Sequence, residues 1–159
     1  MSTSMIYVLI GLSLSVGLGA IGSSLGVAFV AKVGAGLLSK EPQKFPQVLA
    51  LAALPSTQAL YGLLFGFILL IRVGFLDATP KVIDTNTGIA LMLSAIPVGI
   101  ACLISGIMQG QAAASGVKIL AEKPENVSQA IVLAALIESF AVFGLVISLL
   151  LAFVGIKIQ

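Results

Sequence analysis

At 159 residues, 59% of them hydrophobic and only 9% charged, the chain lies far outside the composition of soluble domains, in which about a quarter of residues are charged. A net charge of +2 without a basic run offers nothing to nucleic acid, and the lack of histidine and of any Cys/Asp/Glu cluster at ligand spacing argues against a transition-metal centre. With a mean hydropathy of +1.20, the length accommodates four membrane spans of about 20 to 30 residues and no soluble domain of useful size, so the chemistry belongs inside the bilayer.

The N-terminus, Met1-Ser2-Thr3-Ser4-Met5, has no positive n-region, and the apolar run after it is too long for a signal h-region; we read it as the start of a retained first helix. That span runs from about Ile6 to Leu38 and carries many small residues, among them the GxxxG step Gly22–Gly26. In lipid the backbone must satisfy its own hydrogen bonds, so such a span stays helical and its glycines permit close helix contact. Lys32 near its end is expected to snorkel to the interface. A polar Pro turn, Ser39-Lys40-Glu41-Pro42-Gln43-Lys44, follows.

The second span, from about Phe45 to Arg72, is interrupted at Leu54-Pro55-Ser56-Thr57-Gln58, where Pro55 is expected to disturb the backbone and expose carbonyl oxygen. The polar connection Asp77 to Asn86 lies on the opposite side, with Asp77 and Asp84 expected as solvated loop charges. The third span, from about Gly88 to Leu120, is again rich in small residues and contains the lone Cys102. A second Pro turn, Glu122-Lys123-Pro124-Glu125-Asn126, leads to the fourth span, from about Ser128 to Gly155.

The halves repeat. Laying Pro42 on Pro124, an offset of 82, sets Gln47 to Leu54 on Gln129 to Leu136 without a gap and places Ser56 opposite Glu138. Two hairpins of equal topology follow: residues 1–80 without a mid-span carboxylate and residues 81–159 with one. The fold class is an all-α membrane protein of two tandem helical hairpins. Lys32, Lys40, Lys44, Lys118 and Lys123 lie near the Pro turns, against Arg72, Lys81 and Lys157 on the other side, so the positive-inside rule places the Pro turns in the cytoplasm and both termini opposite.

Glu138 is the only ionisable side chain between Ala130 and Gly155. A charge near the midplane costs several kcal/mol and marks a functional site whose partner has to be found. Counted from the Pro-turn side, Glu138 lies 13 residues after Glu125, Gln58 lies 14 after Lys44, and Gln109 lies 13 before Glu122, so all three share one depth. Leu54, Thr57, Gln58 and Tyr61 share one face of the second span, and Cys102, Gly106, Gln109 and Ala113 one face of the third. A carboxylate, the Thr57 hydroxyl, two amide oxygens and a carbonyl near Pro55 make an oxygen set suited to a hard cation of the sodium type, whereas a proton carrier needs only the carboxylate and one partner. Tyr61, at mid-depth, is a candidate donor to Glu138. Taken singly, Thr57 and Gln109 are also readable as interhelical glue.

These motifs, Leu54 to Gly62, Ser105-Gly106-Ile107-Met108-Gln109-Gly110 and Ile137-Glu138-Ser139-Phe140 on two tandem hairpins, resemble the duplicated proteolipid, or K subunit, of bacterial vacuolar-type rotary ATPases, most closely the sodium-translocating members. The resemblance implies a homo-oligomeric rotor ring in the cell membrane, with the first and third helices inside and the second and fourth facing lipid and the stator. It implies Glu138 as the ion-carrying glutamate, Thr57, Gln58 and Gln109 as sodium ligands, the Leu54 backbone oxygen completing the site, and Tyr61 as the hydrogen-bond donor to Glu138. Ser139 and Phe140 stand where sodium-type relatives have Thr and Tyr. It also implies a stator subunit supplying an arginine and a central stalk leading to the ATPase head. The chain has no GxxxxGK[ST] loop, so nucleotide chemistry is expected in partner subunits and this subunit is not itself an enzyme. Rival readings are the same rotor role with H+ as coupling ion, a small proton-coupled multidrug antiporter, and a structural proteolipid in which Glu138→Gln is harmless.

Overall fold

A computed structural model describes residues 2–77 and 81–156; the loop residues Ala78, Thr79 and Pro80, and Lys157 of the charge comparison, lie outside the described residues. The described chain is all helical, and four stretches are long and apolar enough to cross a membrane: Thr3–Leu38, Pro42–Arg72, Thr85–Glu122 and Pro124–Gly155.

Only the first span is one unbroken helix, α1 (Thr3–Leu38), entered through Ser2, whose hydroxyl accepts the Met5 amide at 3.3 Å. The second span consists of a 3-10 turn at Pro42–Lys44, α2 (Phe45–Ala53), a further 3-10 turn at Leu54–Ser56, and α3 (Thr57–Arg72). It stops at Gly74, whose φ of +62° suits a residue without Cβ. There the Gly74 and Phe75 amides return to the Ile71 and Leu70 carbonyls at 3.0 and 2.9 Å.

The third span departs from the single helix expected over Gly88 to Leu120. It starts at Thr85, divides at Ala95 into α4 (Thr85–Ser94) and α5 (Ile96–Glu122), and ends two residues later than expected. Pro97 explains the division: without an N–H it leaves the Leu93 carbonyl without its helical donor, and the next amide, of Val98, turns to the Ser148 hydroxyl of the fourth span at 3.0 Å. Asp84 is exposed, as a loop charge should be, but it also caps α4, accepting from the Thr87 amide at 3.0 Å and its hydroxyl at 2.6 Å. The fourth span is α6 (Val127–Ala135), a turn at Leu136 and Ile137, α7 (Glu138–Leu150) and a widened π turn over Leu151–Gly155.

Backbone contact between α1 and α5 holds the hairpins together. A Cβ on Gly22 would lie 2.6 Å from the Cys102 carbonyl oxygen, one on Gly106 would lie 2.7 Å from the Gly22 carbonyl carbon, and one on Gly110 would strike the Gly26 backbone. With lipid as solvent, this intimacy maximises packing where the hydrophobic effect gives no drive. At the Pro-turn end Lys44 pairs with Glu41 at 2.9 Å and donates to the Leu120 carbonyl at 3.0 Å, tying the first turn to the end of α5.

Candidate functional site

Two helix breaks at one depth build the site. Pro55 has no N–H for the Leu51 carbonyl, the chain tightens through Leu54–Ser56, and α3 restarts at Thr57. Thr57 turns its hydroxyl back to the Leu54 carbonyl at 3.1 Å, and the Ala59 amide finds the Ser23 hydroxyl of α1 at 2.8 Å. The fourth span breaks at the repeat-related place without any proline. The Ile137 and Phe140 amides reach back only three residues, to the Ala134 and Ile137 carbonyls at 3.2 and 3.3 Å, and Ser139 donates to Leu136 O at 2.8 Å, as Thr57 does to Leu54. Glu138 is therefore the first residue of α7.

The expected oxygen set stands as two hydrogen-bonded pairs. Tyr61 donates its hydroxyl to Glu138 Oε1 at 2.6 Å, joining α3 to α7. Gln58 Nε2 donates to Gln109 Oε1 at 2.5 Å, joining α3 to α5, and both glutamines are fully buried. Among the described residues no hydrogen bond connects Glu138 with Gln58, Gln109 or Thr57, and Glu138 and Thr57 are only half-buried.

The glutamine pair is incompletely satisfied. Gln58 Oε1 and Gln109 Nε2 are buried with no hydrogen-bond partner among the described residues, a situation costing roughly 1–3 kcal/mol per group. Gln109 Oε1 keeps one lone pair beyond the bond it accepts, and Gln58 Oε1 keeps both. These oxygens, the Leu54 carbonyl and the Glu138 carboxylate suit a hard cation, while the described residues hold no group of three His, Cys, Asp or Glu side chains. Ser105, which enters the sequence reading only as a member of the third-span motif, is a further buried polar residue. Its buried hydroxyl has no hydrogen-bond partner among the described residues and lines a cavity of about 480 Å³ with Met108, Ile137 and Phe140. Its place one turn before Gln109 is the signal available in the sequence.

With fold and geometry in place, comparison with known proteins fixes the class. The model of the ATP synthase C-subunit family matches twice, over residues 10–69 and 92–151, segments that start and end at the same offset of 82 that superposes the Pro turns. The chain belongs to this ATP synthase family, in duplicated form. Among individual relatives, it is 36% identical over 147 residues to the V-type sodium ATPase subunit K of Enterococcus hirae, covering 92% of this chain and 90% of the relative. It is 34% identical over 142 residues to the A-type ATP synthase subunit K of Methanocaldococcus jannaschii, covering 89% of this chain and 60% of that longer relative.

Proposed function

We propose that the chain is the ion-carrying rotor subunit of a V-type ATPase membrane sector, that its cargo is Na+, and that Glu138 carries it. The observation that carries this reading is the unpaired, fully buried Gln58 Oε1 beside the Gln109 amide at the depth of Glu138. Two bonded amides would satisfy helix glue; an oxygen left without a donor favours a cation. Glu138 supplies the charge, Gln58, Gln109 and Thr57 supply neutral oxygens, and Leu54 adds its carbonyl. Tyr61 orients the carboxylate through the 2.6 Å hydrogen bond.

Binding Na+ cancels the charge of Glu138, so the loaded site tolerates the lipid-facing part of a ring's rotation, while the emptied carboxylate is stabilised beside a cation. That cation belongs to a stator subunit, because Arg72, at the end of α3, lies far from the depth of Glu138. A stalk subunit links the ring to the ATPase head, where the nucleotide chemistry resides. The hairpins divide near residues 80 and 81, and the Pro turns face the cytoplasm.

One observation favours the proton as second reading: Glu138 bonds to Tyr61 without engaging the glutamine pair, which is all a proton site requires. Equilibrium binding of radioactive sodium to the purified protein separates the two. One Na+ per chain, lost in Glu138→Gln and weakened in Gln109→Leu, supports the sodium site; no saturable binding in the native protein overturns it.

A further inference from the structure

Among the described residues, Ser105 is the one buried serine whose hydroxyl is uncommitted. Ser15 and Ser94 return theirs to the Leu12 and Leu91 carbonyls at 2.9 and 2.7 Å, and Ser4 meets Ser2 at 2.9 Å. Ser23 and Ser148 accept the Ala59 and Val98 amides of other helices at 2.8 and 3.0 Å. Ser105 follows Ser23 at the repeat offset of 82. The position that accepts a hydrogen bond in the first hairpin is therefore an unused acceptor in the second.

One turn further along α5 lies an unused donor, Gln109 Nε2. Residues four apart share a helix face, and long side chains lean toward the helix N-terminus, so the Gln109 amide overlies the turn that carries Ser105. Gln58 Oε1 is the other unused acceptor of the site. Yet the two glutamines meet by a single bond, from Gln58 Nε2 to Gln109 Oε1, and the reciprocal bond is not formed. We propose that one ordered water accepts from Gln109 Nε2 and donates to Ser105 Oγ, and that this tether fixes which end of the Gln109 amide faces the ion. A buried water makes about three hydrogen bonds to polar groups that are otherwise unsatisfied, and both of these qualify. With Nε2 held toward Ser105, Oε1 stays turned to Gln58 and the cation; a reversed amide would offer the cation an N–H, which repels it. Ser105 is thus a positioning residue that acts through Gln109. Its effect on affinity, though not the tether itself, rests on the sodium reading of the site.

The test reads the amide and the ion separately in the intact purified protein. In a nitrogen–proton correlated NMR spectrum, the Gln109 side-chain amide is identified by its loss in Gln109→Leu. Its proton signal should move upfield and exchange faster with solvent in Ser105→Ala. Ser105→Thr keeps the hydroxyl, has room for its methyl in the cavity of about 480 Å³, and should restore both. Sodium binding at equilibrium should weaken about 3- to 10-fold in Ser105→Ala, the worth of about one hydrogen bond, and recover in Ser105→Thr. Added to Gln109→Leu, Ser105→Ala should weaken it no further. A Gln109 amide signal unmoved by Ser105→Ala, failure of Ser105→Thr to restore it, or full additivity of the two substitutions on sodium affinity would each overturn the proposal. No sodium binding in the native protein, with the amide signal still moved by Ser105→Ala, would support the tether and overturn only the sodium reading.

Discussion

Replacing Gln58 with leucine separates a ligand from helix glue. The substitution removes the 2.5 Å bond to Gln109 and the unpaired Gln58 Oε1 together, leaving the Gln109 oxygen and nitrogen as the orphaned atoms. The number of unsatisfied buried atoms stays the same, so stability loses little more than one interhelical bond, about 0.6–1.7 kcal/mol in a membrane protein. A cation loses a neutral oxygen, worth roughly 1.5–3 kcal/mol by analogy with hydrogen bonds to charged groups, or about a 10- to 150-fold weaker Kd. Adding Gln109→Leu removes the remaining orphans, so the double variant should regain much of the lost stability while its ion affinity falls further. Stability can be followed in detergent through Cys102, the sole cysteine and fully buried, with a thiol-reactive dye that fluoresces on reaction. Ion affinity that follows stability through this cycle, recovering in the double variant, would refute a ligand role for both glutamines.

Tyr61→Phe removes the hydroxyl that donates to Glu138; sodium should bind roughly tenfold or more weakly while the thermal midpoint moves little, and an unchanged Kd would contradict the orienting role. Gly26→Leu should prevent stable association of the hairpins, because even a Cβ there meets the Gly106 carbonyl and the Pro55 ring, whereas Gly17→Ala, with open space at that position, should change stability by less than about 0.5 kcal/mol. The Thr87 hydroxyl and amide hold the Asp84 carboxyl below the usual aspartate range. Its cap therefore contributes fully above the ordinary aspartate pKa and is lost as pH falls through the lowered value. Carboxyl carbon NMR should place the Asp84 midpoint below that of an unstructured aspartate, and a midpoint at or above it would contradict the cap.

The sequence was most legible where a residue type forces its outcome. Pro55 announced the break in the second span, and the two Pro turns fixed the repeat register that the family match reproduces. Counting residues from those turns put Gln58 and Gln109 at one level, and the two amides meet at 2.5 Å. The break at Leu136 and Ile137 was hidden because no proline marks it; it shows only as short-range amide bonds and the Ser139 hydroxyl on Leu136. Pro97 was visible, but its effect on Ala95 depends on Ser148 accepting the freed Val98 amide across a helix interface. The Tyr61–Glu138 pair was foreseen from the mid-depth polar tip of Tyr61, but the partner of the Gln58 amide was beyond the sequence. A shared depth and face leave the partner open, and the Gln58 amide turned to Gln109 while Glu138 took Tyr61.

The central claim, that Glu138 holds Na+, is tested most directly by the rate at which a carboxyl-reactive carbodiimide labels Glu138 in purified protein, at fixed pH and ionic strength, with sodium or potassium added. Only a protonated, accessible carboxyl reacts readily, so the rate reports what occupies the site. The account predicts that sodium slows labelling and potassium does not, and that Gln109→Leu raises the sodium concentration needed. Labelling that responds to pH alone, with sodium and potassium equivalent, would contradict it and make the proton the cargo.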